Sequence, residues 1–161
     1  MRRAREGALK YHQKATSHIE SWYGFHSSFI AARYFPEKQL DEALRSRFDY
    51  LFGLLHDRTK MVPLYHASRI QNTSGTIGLL VDKYEAYGDV EDLKKASRLA
   101  DWLMNTWQRK DGAYVNHNTV YTSVIYVAKS MLELTLVERE LGKTESVWKE
   151  AADRNYASAN R

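Results

Sequence analysis

The chain has 161 residues, of which 43% are hydrophobic and 27% charged, a composition that suits one folded domain and excludes a disordered chain. Its net charge of +4 comes from basic and acidic residues that alternate along the sequence, which argues against the one-sided basic surface of a nucleic-acid-binding protein. The absence of cysteine excludes disulfide bonds and thiolate metal sites, and no apolar run approaches the ~20 residues of a membrane span.

The N-terminal stretch MRRAREGALKYHQK is basic and lacks the apolar core of a secretory signal. Glu6 argues against a transit peptide, so we interpret the stretch as a solvated helix end. We therefore expect no signal peptide in this chain. For a longer parent protein we expect a periplasmic or secreted location, and the compartment stays open.

Three segments place apolar residues at three- and four-residue spacing along one side, which predicts amphipathic helices. These segments are residues 37–55, 89–108 and 144–159. Pro36 stands where the first helix begins, and Asp89 is the expected N-cap of the second. The third follows Gly142, with Thr144 as its expected cap. Each predicted helix has one polar side, which we expect to face solvent.

Two segments between these helices are apolar on more than one side, namely residues 73–88 and 121–142. This pattern predicts inner helices that other helices surround. Gly75 and Gly78 each cost about 1 kcal/mol of helix propensity relative to alanine, a cost that is tolerated where backbones approach closely. No segment has the alternating pattern of a β-strand.

The inner segments FHSSFIAARYF, QNTSGTIGLLVDKY and VYTSVIYVAKSML align as a repeat. The aligned serines are Ser28, Ser74 and Ser123, which as helix-start residues are interpreted as caps. The residues two positions earlier are His26, Asn72 and Tyr121. Each inner segment is followed by a turn and an amphipathic helix, so the sequence predicts an array of helical hairpins.

The turn WQRKDGAY at residues 107–114 joins an outer helix to the next inner one. With the alternation of inner and outer helices, it resembles the (α/α) toroids of six-hairpin glycosidases and toroidal polysaccharide lyases, and the same turn recurs in terpene cyclases and prenyltransferases. Residues 20–159 hold about three hairpins, fewer than a closed toroid. We therefore expect residues 1–161 to form a single all-α domain of helical hairpin repeats, a fragment of a larger (α/α) toroid.

The resemblance implies that ligands bind in a funnel bordered by the loops that enter the inner helices. These loops are rich in polar and aromatic residues: Trp22, Tyr23, His26, Tyr65, His66, Arg69, Asn72, Trp107, Arg109, Lys110, Tyr114, His117, Asn118 and Tyr121. Carboxylates are few in the loops. They are Glu20, Asp57 and Asp111, and Asp111 is expected to be used by its Asp-Gly turn.

This scarcity of carboxylates bears on the chemistry, because a glycoside hydrolase needs two carboxyl groups at the scissile bond. A polysaccharide lyase instead abstracts the proton next to a uronate carboxylate, which a cation or an amide must hold. Asn72 and Arg69 suit the holding role, while His66 with Tyr121 or Tyr65 suits proton exchange. The preferred interpretation is a polysaccharide lyase that acts on an acidic, uronate-containing polysaccharide by β-elimination.

The predicted site has two groups of residues. The catalytic candidates are His66, Asn72, His117 and Tyr121. The candidates for substrate binding are Trp22, Tyr23, His26, Tyr65, Arg69, Arg109, Tyr114 and Asn118. Four basic residues would attract an acidic polymer, namely Arg58, Lys60, Arg109 and Lys110.

Five of the candidates also have a structural interpretation. Tyr65 and Tyr121 can be core tyrosines with one satisfied hydroxyl. Asn72 and His26 can cap helices, and His117 can belong to an ordinary polar turn.

Two other functions stay open, a glycoside hydrolase of the six-hairpin type and a non-catalytic helical-repeat module that binds a peptide, a protein or a saccharide. No H-E-x-x-H motif or nucleotide-binding motif occurs, so we expect neither a metal nor a cofactor. The expected partner is a polysaccharide or oligosaccharide. Terminal hairpins of an incomplete ring would also expose apolar edges, which predicts self-association.

Overall fold

The computed structural model describes residues 2–14, 22–57, 62–63, 70–116, 119–120, 124–142 and 147–159. Over these ranges the chain is mostly helical. The helices are α1 (Arg2–Lys14), α2 (Trp22–Tyr34), α3 (Lys38–Leu55), α4 (Ile70–Tyr87), α5 (Val90–Trp107), α6 (Val124–Glu140) and α7 (Val147–Ala159). The prediction of an all-α protein is confirmed.

Two short antiparallel ladders lie in the connections between helices. Strand β1 (His56–Asp57) pairs with β2 (Val62–Pro63), and β3 (Val115–Asn116) pairs with β4 (Thr119–Val120). Each strand has two residues. A strand of that length is too short to produce an alternating pattern, which is why the sequence did not indicate it.

Helices α2, α4 and α6 lie side by side, with α4 between the other two. Helix α5 packs on α4, α7 packs on α6, and α3 contacts α2. The three helices in the row contain the aligned repeat segments, and α3, α5 and α7 correspond to the segments predicted as amphipathic helices.

The ends of the amphipathic helices follow local signals. Helix α5 begins one residue after Asp89, whose carboxylate accepts a hydrogen bond from the backbone N–H of Glu91 at 3.1 Å, as expected of an N-cap. Helix α3 buries its apolar side, where Phe48 meets Phe25 and Phe29 edge-on at 5.5 and 5.6 Å between ring centroids. These rings join α2 to α3.

Helix α1 differs from the expectation of a solvated helix end. Its outward residues are exposed, but Arg5 is buried, donates a hydrogen bond to the carbonyl oxygen of Phe35 at 3.0 Å and forms an ion pair with Asp41. Through these contacts α1 packs against α2 and α3. A buried guanidinium is stable only with such partners, and both lie far from Arg5 in the sequence.

The aligned serines do not cap helices where the structure describes them. Ser28 lies inside α2 and its hydroxyl donates to the carbonyl oxygen of Gly24 at 2.7 Å, while that of Ser74 donates to Gln71 at 2.9 Å. Both hydroxyls thus bond to the preceding turn of their own helix. Ser123 and Thr144 lie outside the described residues.

His56 follows α3 and begins β1, with its imidazole buried against Phe52. The two rings stack with centroids 4.4 Å apart, and Nδ1 lies 3.3 Å from the carbonyl oxygen of Phe52. Burial lowers the pKa of His56 from 6.5 to about 4, and the hydrogen bond to Phe52 opposes part of that shift.

We expect the free energy of unfolding to fall as the pH is lowered from 6.5 to about 4. In this interval the unfolded chain binds a proton at His56 that the folded chain excludes, which costs up to about 3 kcal/mol. Urea denaturation at a series of pH values measures the effect. His56→Gln removes this titration but keeps every carboxylate. The free energy of unfolding of the parent protein, relative to that of the variant, should therefore fall as the pH is lowered across the same interval. Parallel curves for the two proteins would contradict the prediction.

Candidate functional site

Half of the predicted site residues lie outside the described part of the chain. They are His66, His117, Tyr121, Tyr65, Arg69 and Asn118. Trp22 and Tyr23 lie in the first turn of α2, but the structure describes only their backbone. The roles given to these residues stay predictions.

Tyr114 lies in the core. Its side chain is 0% exposed, its hydroxyl lies 3.6 Å from the sulfur of Met131, and burial raises the pKa of the phenol. A sugar ring needs an accessible aromatic face to stack on, and Tyr114 has none here. The ring instead fixes the turn that precedes it against α6.

The Asp-Gly turn before Tyr114 is built as the sequence predicts. The backbone N–H of Ala113 donates to the carboxylate of Asp111 at 3.2 Å, and Gly112 has a φ of 90°. An added Cβ at Gly112 would overlap the carbonyl oxygen of Arg154 on α7. Arg109 is exposed and forms an ion pair with Asp111 at 3.0 Å. The turn thus docks on α7, which is an architectural role.

Asn72 lies inside the first turn of α4, because that helix begins at Ile70 rather than at Asn72. It is half-buried, and its backbone carbonyl accepts a hydrogen bond from the hydroxyl of Thr76 at 2.8 Å. Within the described part of the chain, no hydrogen bond or ion pair joins Asn72 to another candidate.

His26 is the predicted site residue with the most informative surroundings. It lies on α2, and its Nδ1 is hydrogen-bonded to the carboxylate of Asp82 on α4. The side chains of His26 and Asp82 are 25% and 13% exposed, so solvent reaches the pair from one side. Arg33 donates to the other oxygen of Asp82 at 3.2 Å and also forms an ion pair with Glu85.

Side chains from α2 and α6 meet above Gly78 of α4. A Cβ placed on Gly78 would lie 3.4 Å from Cε1 of His26, 3.3 Å from Oγ of Ser130 and 3.5 Å from Oε2 of Glu133. The Gly78 cluster consists of Gly78, His26, Asp82, Ser130 and Glu133. It joins all three helices of the central row at one point.

The hydrogen bond to Asp82 determines what His26 can do. A neutral imidazole whose Nδ1–H faces a carboxylate has Nε2 free of a proton, so Nε2 can accept one. The carboxylate also stabilises the imidazolium that forms, an arrangement found in general acid–base catalysis. His26 is therefore oriented as a proton acceptor.

The carboxylates around His26 all have cationic partners. Asp82 and Glu85 share Arg33, and Glu133 lies 2.6 Å from the ammonium of Lys129. The carboxylates near His26 are thus each bound to a basic side chain of their own or a neighbouring helix.

The sequence pattern indicated His26 as a site residue but did not indicate Asp82, Ser130 or Glu133. These residues lie within α4 and α6, not in the loops where candidates were sought. A signal was present, since Asp82 and Glu133 are charged residues in segments that are apolar on more than one side.

Within the described ranges, no three histidine, aspartate or glutamate side chains are grouped so that they could hold a metal ion. In the same ranges, no helix combines the length and apolar character needed to cross a membrane.

Comparisons with protein-family models, with curated proteins and with solved structures give no match to this chain. The contacts of the Gly78 cluster are the observations that bear on function.

Proposed function

We propose that the chain is part of an (α/α) toroid and belongs to a polysaccharide lyase that acts on an acidic, uronate-containing polysaccharide by β-elimination. The observation that carries the proposal is the His26–Asp82 pair, which lies partly exposed where α2, α4 and α6 meet. An imidazole held in one orientation by a carboxylate is suited to take a proton from carbon.

In the proposed reaction, Nε2 of His26 takes the proton from the carbon next to the uronate carboxylate. The electrons of the broken C–H bond form a C=C double bond, and the bond to the leaving glycosidic oxygen breaks. That oxygen takes up a proton from water as it departs, and His26 then releases its proton to solvent. Asp82 keeps Nδ1 protonated throughout. The substrate carboxylate needs a cation or an amide beside it, for which Arg69 and Asn72 stay the candidates.

The charges favour elimination over hydrolysis in this part of the chain. A glycoside hydrolase needs two carboxyl groups that are free to face the scissile bond. Asp82, Glu85 and Glu133 are instead each bound to a basic side chain. Elimination by a histidine base does not require such a pair of free carboxyl groups.

Tyr34 supports a carbohydrate ligand. It lies on α2 about two turns from His26 and its side chain is 71% exposed, so its ring offers a stacking face. Ile30, Leu132 and Leu136 on α2 and α6 are exposed as well. These apolar side chains also favour the second candidate, a helical-repeat module that binds a saccharide without cleaving it.

One assay separates these functions. The protein is incubated with uronate-containing and neutral polysaccharides while reducing ends and ultraviolet absorbance are followed. A lyase creates an unsaturated uronate that absorbs, so both signals should rise together on the acidic polymer. Reducing ends without absorbance would indicate a hydrolase and contradict the proposal. Retention on an immobilised polysaccharide with neither signal would indicate a binding module.

A further inference from the structure

Gly78 lies where side chains of the neighbouring helices approach α4 most closely. A methyl group there would lie 3.3 Å from Oγ of Ser130, which is tighter than side chains ordinarily allow, and 3.4 Å from the imidazole of His26. At least one neighbour would have to move by a few tenths of an ångström.

Of the two nearest neighbours, His26 has more room to move than Ser130. Ser130 is buried, whereas 25% of the His26 side chain is exposed. The third neighbour, Glu133, is 34% exposed but lies at 3.5 Å, an ordinary contact that does not force it to move. A shift of the imidazole away from α4 would lengthen its hydrogen bond to Asp82. That bond sets the proton-accepting orientation of the ring.

We propose that Gly78 is a positioning residue of the proton-transfer site, because the lack of a side chain lets the imidazole of His26 lie against α4 with Nδ1 on Asp82. The role of Gly78 in catalysis rests on the proposed function, whereas its effect on the orientation of the His26 imidazole does not. Small displacements of a reacting group can cost large factors in rate.

Gly78→Ala tests the inference, and Gly75→Ala is the matched control. Gly75 lies one turn earlier on the same helix, and no described atom lies within 4 Å of a Cβ built there. Both substitutions raise helix propensity equally, so they differ mainly in what the methyl group meets. The readouts are the nitrogen-15 chemical shifts of the His26 ring, assigned with His26→Gln, and kcat on a uronate-containing polysaccharide.

We expect Gly78→Ala to reduce the fraction of molecules in which the His26 ring carries its proton on Nδ1, and to lower kcat about tenfold. Gly75→Ala should change neither quantity. Adding Ser130→Ala to Gly78→Ala removes the tightest contact. The nitrogen-15 shifts of the His26 ring should then return part of the way to those of the parent protein.

Equal ring shifts in Gly78→Ala, Gly75→Ala and the parent protein would overturn the inference. A Gly78→Ala chain that no longer unfolds cooperatively would also overturn it, because the glycine would then serve helix packing. If the ring shifts as expected but no polymer yields an unsaturated product, the positioning role holds and the proposed function fails.

Discussion

Replacing Asp82 with asparagine should lower kcat on a uronate-containing polysaccharide by about 10²–10⁴-fold. Asparagine can donate its amide hydrogen to Nδ1 of His26, which favours the tautomer with the proton on Nε2. That nitrogen can then no longer accept a proton from the substrate. The contact of Arg33 with Asp82 is partly exposed, so its loss should cost less than about 1 kcal/mol of unfolding free energy. Turnover per folded molecule and urea denaturation measure the two effects.

Glu85→Gln is the matched control. It also neutralises one carboxylate bound to Arg33, but within the described ranges no hydrogen bond or ion pair joins Glu85 to His26. Its kcat should stay within a few-fold of the parent protein. Equal losses in the two variants would mean that the charge near Arg33 matters rather than the orientation of His26, and the assignment of His26 as proton acceptor would be wrong.

The helices could be predicted because their signals are local. Apolar spacing placed the segments 37–55 and 89–108 within one or two residues of α3 and α5, and Asp89 caps α5 as expected. Spacing within one helix depends on the 3.6-residue period, which a single sequence reveals. Contacts between helices add little to that signal.

Buried polar pairs could not be predicted in the same way. Arg5 and Asp41 belong to different helices, and a basic residue in a basic N-terminal stretch gives no sign that it is buried. His26 and Asp82 are likewise brought together only by the packing of α2 on α4. Their pairing depends on tertiary geometry, which the period of one helix does not contain.

Tyr114 illustrates a further limit. An aromatic residue after an Asp-Gly turn can face a ligand or the core, and the sequence motif is the same in both cases. In this structure the ring of Tyr114 is buried. The turn before it is tied to the helix array by Gln108, whose side-chain amide donates to the carbonyl oxygen of Ala151 on α7 at 2.8 Å. Such a contact with a distant helix is not visible in the motif.

Replacing Lys83 with methionine should lower the free energy of unfolding by about 3–5 kcal/mol. Nζ of Lys83 on α4 lies 2.9 Å from Oδ1 of Asp92 on α5 and 2.9 Å from Oδ1 of Asp49 on α3. The side chains of Lys83 and Asp92 are 2% and 0% exposed, so they form a buried ion pair between two helices. Methionine fills most of the space but leaves the carboxylate of Asp92 buried with a weaker partner, Lys95 at 3.3 Å. Urea denaturation midpoints, with unchanged slopes, measure the loss.

Two further variants test this explanation. Lys94→Met removes a lysine from an exposed pair with Glu91, whose side chains are 58% and 62% exposed, and should cost less than about 1 kcal/mol. The double variant Lys83→Met with Asp92→Leu removes both buried charges, so it should recover much of the stability that Lys83→Met loses. A double variant as unstable as the sum of its single changes would show that the packing of the lysine stem, not the uncompensated carboxylate, causes the loss.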